Sequence, residues 1–344
     1  MTTQHTKQPE NSTTQSDLSS NGASKSGSCY PGRRTPLTMS AGADVHTTEL
    51  TDSCLRRVLL RHEQKIRPAA TTALFRGLLA GKALEFVHDG DNYDTLDHAM
   101  GLISRALCSE LEDEGRIISD SVIKNMSSIQ EDVLRVVEQY INRFMPLFEQ
   151  CELIGTELPC RLFMGGTNYA SHLDLLVRDT NNVFGYGQGR LLCIDWKYRQ
   201  EVPTKAYLSR NLQFFLYWLT IKEGSVMAYP AVDGWIDYGE VPQMIWCHLP
   251  NMKPFGRKTT SKDGDGNPVV YSKGDERPIT SILKAVNFLD DPDVVSEMKK
   301  DMADRVEMMR SGFFPKSPDP VGCQVCEAQD FCSRGDTPII MENT

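Results

Sequence analysis

No stretch of this 344-residue chain comes near the roughly 18 to 20 consecutive apolar residues that a membrane-spanning helix requires. The N-terminus also lacks the charged-then-apolar layout of a secretory signal. Both absences point to a soluble protein of the reducing cytoplasm. No internal repeat is visible, which leaves no array architecture to consider. No G-x4-G-K-[ST] phosphate loop occurs, so the chain carries no motor of that type. Positive charge is in short supply: 37 Lys and Arg stand against 46 Asp and Glu, for a net charge of −9. That balance argues against a generally basic nucleic-acid coat but not against a local basic groove. Large apolar side chains are scarce over residues 1–46, where Ser, Thr, Gln, Asn and Gly dominate. Such a segment buries too little surface to offset chain entropy, and a disordered tail is expected. Lys7, Lys25, Arg33 and Arg34 stand there beside Glu10, Asp17 and Asp44, a thin basis for an organelle transit peptide.

Cysteine, by contrast, is plentiful. Ten cysteines without a secretory signal fit reduced thiols better than an extracellular disulfide framework. Cys323, Cys326 and Cys332 form a C-x2-C-x5-C array just after Phe313-Phe-Pro315. Thiolates favour zinc or iron–sulfur clusters, both of which usually want four ligands, so the array calls for one more from far upstream. Disulfides or buried free thiols are the alternatives.

With 40% apolar residues the chain can bury a large core. From Thr51 the pattern is helical, and Arg56, Arg57, Arg61 and Lys65 make a basic stretch that is either a solvated face or a phosphate-tracking surface. Helices are expected over Ala73 to Val87 and Ser128 to Phe148. Between Glu157 and Tyr198 the period changes to two. In the strand from Ser171 to Arg178, Leu173, Leu175 and Val177 should face one side and His172, Asp174 and Leu176 the other. A turn-rich loop with Gly185, Gly187 and Gly189 leads to a second strand, in which Leu192, Ile194 and Trp196 oppose Asp195 and Lys197. Antiparallel neighbours joined this way bring Asp174 alongside Asp195 and Lys197. One helix should run from Pro203-Thr204 to about Lys222, stopped by Gly224, with Gln213 and Tyr217 on one face. A strand at Met244 to Leu249, a polar loop from Gly256 to Pro278 and a helix from about Pro292 to Arg310 follow.

Two carboxylates and a lysine at one sheet edge suit a hard cation. Asp174 and Asp195 can bind Mg²⁺ or Mn²⁺, with Lys197 beside the metal-bound water. A lone D-x-K is usually an ordinary salt-bridged strand end. Here the Asp174 strand before it and the Gln213 helix after it favour a site.

These motifs resemble the PD-(D/E)XK nucleases, in particular the RecB-type exonuclease branch that carries an iron–sulfur cluster. The resemblance runs from about Asp52 to Cys332. Asp174 matches the metal-binding aspartate, Asp195-Trp-Lys197 the (D/E)-x-K step, and Gln213-Phe-Phe-Leu-Tyr217 the Q-x3-Y element. Ser53-Cys-Leu-Arg-Arg57 looks like the upstream element whose cysteine is the first cluster ligand, so the resemblance implies a 4Fe-4S cluster on Cys54, Cys323, Cys326 and Cys332. Zinc is the rival metal. In one place the chain departs from the pattern: in Gly77-Leu-Leu-Ala-Gly81-Lys-Ala-Leu-Glu85 a glycine, Gly81, stands where the branch often has a ligating histidine. Glu85 is kept as a further metal-site candidate, and His88 lies one turn beyond it.

The resemblance implies an α/β fold with a restriction-endonuclease-like core, a mixed central sheet flanked by helices. A helical region would precede it and a cysteine-cluster segment follow it. The expected layout is a tail over 1–46, one domain over 47–335 and a C-terminal tail over 336–344. The domain divides into a mainly helical part, 47–150, a catalytic core, 151–224, and a C-terminal elaboration, 225–335. The implied activity is metal-dependent hydrolysis of DNA, as an exonuclease acting on ends or single strands in repair, recombination or phage replication. A separate helicase or recombination protein would be its partner. The competing reading is a non-catalytic or inactive nuclease-like DNA-binding subunit with a structural four-cysteine site.

Overall fold

The computed structural model describes residues 44–46, 50, 54–55, 57–58, 69–90, 95–199, 202–227, 234–250, 258–262, 268–272, 282–286 and 292–311. Cys29, Arg56, Arg61, Lys65, Cys323, Cys326 and Cys332 lie outside these residues, as do the 1–43 part of the expected tail and the C-terminal tail. Among the described residues no helix is long and apolar enough to cross a membrane.

The architecture is mixed α/β, a mostly antiparallel central sheet flanked by helices. The helices α1 (Thr72–His88), α2 (Leu96–Asp113), α3 (Asp120–Lys124) and α4 (Met126–Phe148) precede most of the sheet. Thr71 starts α1 by accepting the Leu74 N–H on its side chain, which satisfies one of the donors a helix N-terminus leaves free. In α4 the buried Ile129, Val133, Val136, Val137, Tyr140, Phe144 and Phe148 recur at helical spacing and form the stripe laid on the sheet. Each such side chain contributes about 1.5 to 3 kcal/mol by leaving water.

The sheet runs β10 (Ile282–Val286), β7 (Gln243–Pro250), β4 (Arg190–Arg199), β3 (Thr167–Asp179), β2 (Glu152–Met164), β5 (Ser225–Met227), β6 (Trp235–Ile236). Among the described strands only β4 with β7, and a short β1 (Asp44–His46) with β3, pair in parallel. β1 corrects the expected tail: residues 44–46 are a strand with Val45 fully buried, because β3 has an unpaired stretch of edge at Asn168 to Ala170 that this segment fills.

One face of the sheet, with Leu192, Ile194, Trp196, Ile245 and Cys247, packs on α1, α2 and α4. The other, with Cys193, Met244 and Trp246, packs on α6 (Leu212–Glu223) and α7 (Pro292–Arg310). The simple alternation expected in β3 does not hold. Leu173 joins Leu176 in the α6-side cluster, while Leu175 and Val177 lie in the other. The slip falls at Asp174, opposite a left-handed backbone at Glu157 (φ 45°) on β2.

The single helix expected after Pro203 is two, α5 (Lys205–Leu208) and α6. Asn211 makes the break by accepting the Phe214 N–H at 3.1 Å, which starts a new helix. Gly224 ends α6 where a Cβ would sit 2.4 Å from the Arg161 carbonyl oxygen, so the close approach to β2 needs a glycine. The polar loop after Gly256 contains a small hairpin, β8 (Thr259–Lys262) with β9 (Pro268–Tyr271); its alternation is too short to stand out among Gly, Lys and Asp.

Candidate active site

β3 and β4 pair from Asp179↔Arg190 to Leu175↔Ile194 and then part. β4 follows β7 to Arg199↔Pro250, and β3 turns to β1. The fork opens at Asp174, whose Oδ2 accepts the Trp196 N–H at 2.8 Å in place of a ladder bond. Asp195, one residue earlier on β4, is fully buried, and Lys197 Nζ donates to its Oδ1 at 2.7 Å. Asp174, Asp195 and Lys197 are therefore brought together by the divergence of two strands.

Burial raises Asp174 well above the usual carboxylate range, and facing Asp195 adds to the shift while Lys197 opposes it. Asp195 is also raised by burial, offset in part by Lys197. Burial alone would lower Lys197, but Asp195 and Asp174 outweigh it and hold the ammonium form above its ordinary range. The site thus concentrates negative charge in a place short of water, an arrangement typical of functional sites.

Glu157 is the residue the sequence reading missed. It stands opposite Asp174 between the pairs Thr156↔Leu175 and Leu158↔Leu173. Its carboxyl is raised by burial and by Glu85, with Asp195 adding and Lys82 and Lys197 opposing. A signal was present: Gly165-Gly166, both at positive φ, suit a two-residue hairpin turn. The eighth residue back from Gly165 is Glu157, and the eighth forward from Gly166 is Asp174. Glu85 sits near this group through its effect on Glu157, but its Oε2 is paired with Lys82 at 3.0 Å. His88 belongs elsewhere. It is buried, stacked on Trp196 at 5.7 Å, and shares a 2.8 Å hydrogen bond with the Tyr140 hydroxyl.

Gln213 Nε2 donates to the Tyr217 hydroxyl at 2.8 Å. Tyr217 also bonds Ser171 on β3, and burial, then Asp195 and Asp174, push its phenol well up. Tyr217 therefore touches the rim of the fork, with Gln213 one step behind it.

The donor set fits a hard divalent cation. Asp195 Oδ2 is buried with no hydrogen-bond partner among the described residues, and an orphan carboxylate oxygen of this kind is costly unless something charged meets it. No group of three or more His, Cys, Asp and Glu side chains completes a cation site among the described residues. Two aspartates with water and substrate oxygens are what Mg²⁺ usually takes.

Of the proposed cluster ligands only Cys54 is described. It is half-buried, with the Arg57 N–H bonded to its carbonyl at 2.9 Å. Neighbouring Leu55 and Val58 share a core cluster with Met302 and Val306 of α7, the helix that precedes the cysteine array. Arg305 of α7 donates to the Leu50 carbonyl at 2.9 Å. Cys160, Cys193 and Cys247 are core thiols pushed up by burial, Cys160 to about 12. Arg57 is half-buried and is the one described member of the basic stretch.

No family model and no curated protein matches the sequence. Among solved structures, the crystal structure of SSO0001 is similar over 86% of this chain and 87% of that one, at 14% identity and a TM-score of 0.35, a likeness too slight to carry an argument.

Proposed function

We propose that the chain is a metal-dependent DNA nuclease with a PD-(D/E)XK core of the RecB type, acting as an exonuclease on free ends or single strands. One observation carries the reading: Asp174, Asp195 and Lys197 converge where β3 and β4 part, with Asp195 Oδ2 buried and unpartnered. Asp174 and Asp195 would hold Mg²⁺ or Mn²⁺, which when bound polarises a phosphodiester oxygen and acidifies water. Lys197 keeps its proton between two carboxylates. It serves to orient the attacking water and to offset charge growing on the phosphoryl oxygens. Tyr217, braced by Gln213 and Ser171, fixes the wall of the fork on the α6 side.

The 4Fe-4S cluster on Cys54, Cys323, Cys326 and Cys332 belongs to the same proposal. It is supported by the packing of α7 with the segment that carries Cys54. Protein purified without oxygen should be brown, with iron and acid-labile sulfide in similar amounts; colourless protein with one zinc and no sulfide would replace the cluster by zinc. The activity itself is tested by digestion of end-labelled DNA with and without Mg²⁺. Binding without cleavage under every metal tried would leave the non-catalytic subunit as the reading.

A further inference from the structure

Three cations influence the carboxylates at the fork: Lys82, Lys197 and Arg199. Two are already paired, Lys82 with Glu85 at 3.0 Å and Lys197 with Asp195 at 2.7 Å. Arg199 is exposed and forms no ion pair among the described residues. Its guanidinium is nevertheless held in place. It lies over the ring of Trp246, 5.3 Å from the centroid, and Trp246 is fully buried and stacked on Phe214.

Register shows where this puts the charge. Trp246 is the β7 partner of Asp195, whereas Arg199 itself pairs with Pro250. The side chain therefore lies back along the strand beside the site, not out beyond its end. His248, the β7 partner of Lys197, is buried beside it. Burial and then Arg199 lower the imidazole to about 4, so no second positive charge competes for the position.

A planar cation seated on an aromatic ring, open to solvent and in no ion pair among the described residues, at the edge of an acidic site is what a polyanionic substrate needs to approach it. We infer that Arg199, seated on Trp246, is a phosphate-binding residue that receives a phosphodiester flanking the one cleaved. This rests on the nuclease reading.

The test uses a fluorescent single-stranded DNA oligonucleotide. Binding is measured over a salt series in the inert Asp195→Asn protein, with and without Arg199→Gln, and kcat and KM in the otherwise native chain. Arg199→Gln should raise KM several-fold with kcat little changed, and lower the salt slope by about 0.7, the loss of one phosphate contact on a single strand. Arg199→Lys should recover the slope but only part of the affinity, since a point charge lacks the fork. Unchanged melting is expected because the side chain is exposed. If the native chain binds and cuts DNA while Arg199→Gln leaves KM and slope as they were, the inference is wrong. A changed KM with an unchanged slope also overturns it, since Arg199 would then act by packing. If the native chain neither binds nor cuts DNA, the nuclease reading fails first.

Discussion

Two aspartates five residues apart on β3 show opposite uses of the same side chain. Asp179 is fully buried, and its two oxygens accept the N–H groups of Val183 and Phe184 at 2.9 and 3.0 Å. The backbone of the following loop solvates it completely, so it organises the turn. Asp174 receives one N–H, from Trp196, and otherwise faces Asp195. A buried carboxylate whose acceptors are filled by the chain is architecture; Asp174 is instead set against Asp195, whose Oδ2 has no hydrogen-bond partner among the described residues, so the charge of the pair is left for something else to balance.

The sharpest way to break this contrast is to neutralise one member of each group. Asp195→Asn or Lys197→Ala should lower cleavage by about two orders of magnitude or more. Near-native turnover in end-labelled DNA assays would dissolve the distinction.

A second test lies on the opposite face of Trp196, where burial holds His88 neutral down to about pH 4. The unfolded chain protonates near 6.5, so the unfolded state gains the extra proton first as pH falls. The stabilisation is complete above pH 6.5, declines below it and is lost near pH 4, in all on the order of 3 kcal/mol. Urea melts across that range should show the slope, and His88→Gln should reduce it.

Asp179→Ala is the converse of the first test. Leaving two half-buried N–H groups without an acceptor should cost about 2 kcal/mol in denaturant unfolding, with cleavage retained. The smallest effect is expected from Glu157→Gln, which should weaken Mn²⁺ binding by about tenfold, the lower end of what removal of a residue supporting a metal site costs. Titration of Mn²⁺ followed by its electron spin resonance signal measures this directly.

Much of the sheet could be read in advance. Leu192, Ile194 and Trp196 alternate with Asp195 and Lys197 because one face of β4 meets α1 and α4 and the other meets α6. The placement of Asp174 beside them followed from a hairpin-like connection. What escaped was set by interactions remote in sequence or by single residues. The phase slip at Asp174 depends on the backbone of Glu157 across the ladder. The break between α5 and α6 rests on one capping asparagine inside a helical pattern. The role of β1 depends on where β4 leaves β3, which no local pattern in Asp44-Val-His46 announces.

That last strand bears on where the folded unit can safely be shortened. A chain begun at residue 47 would keep α1 to α7 but uncover the backbone of Asn168 to Ala170, the positions now matched by Asp44 to His46. An open β-edge is a template for strands from other molecules. Loss of this three-residue strand would therefore show itself first as self-association, before any change at Asp174, Asp195 and Lys197.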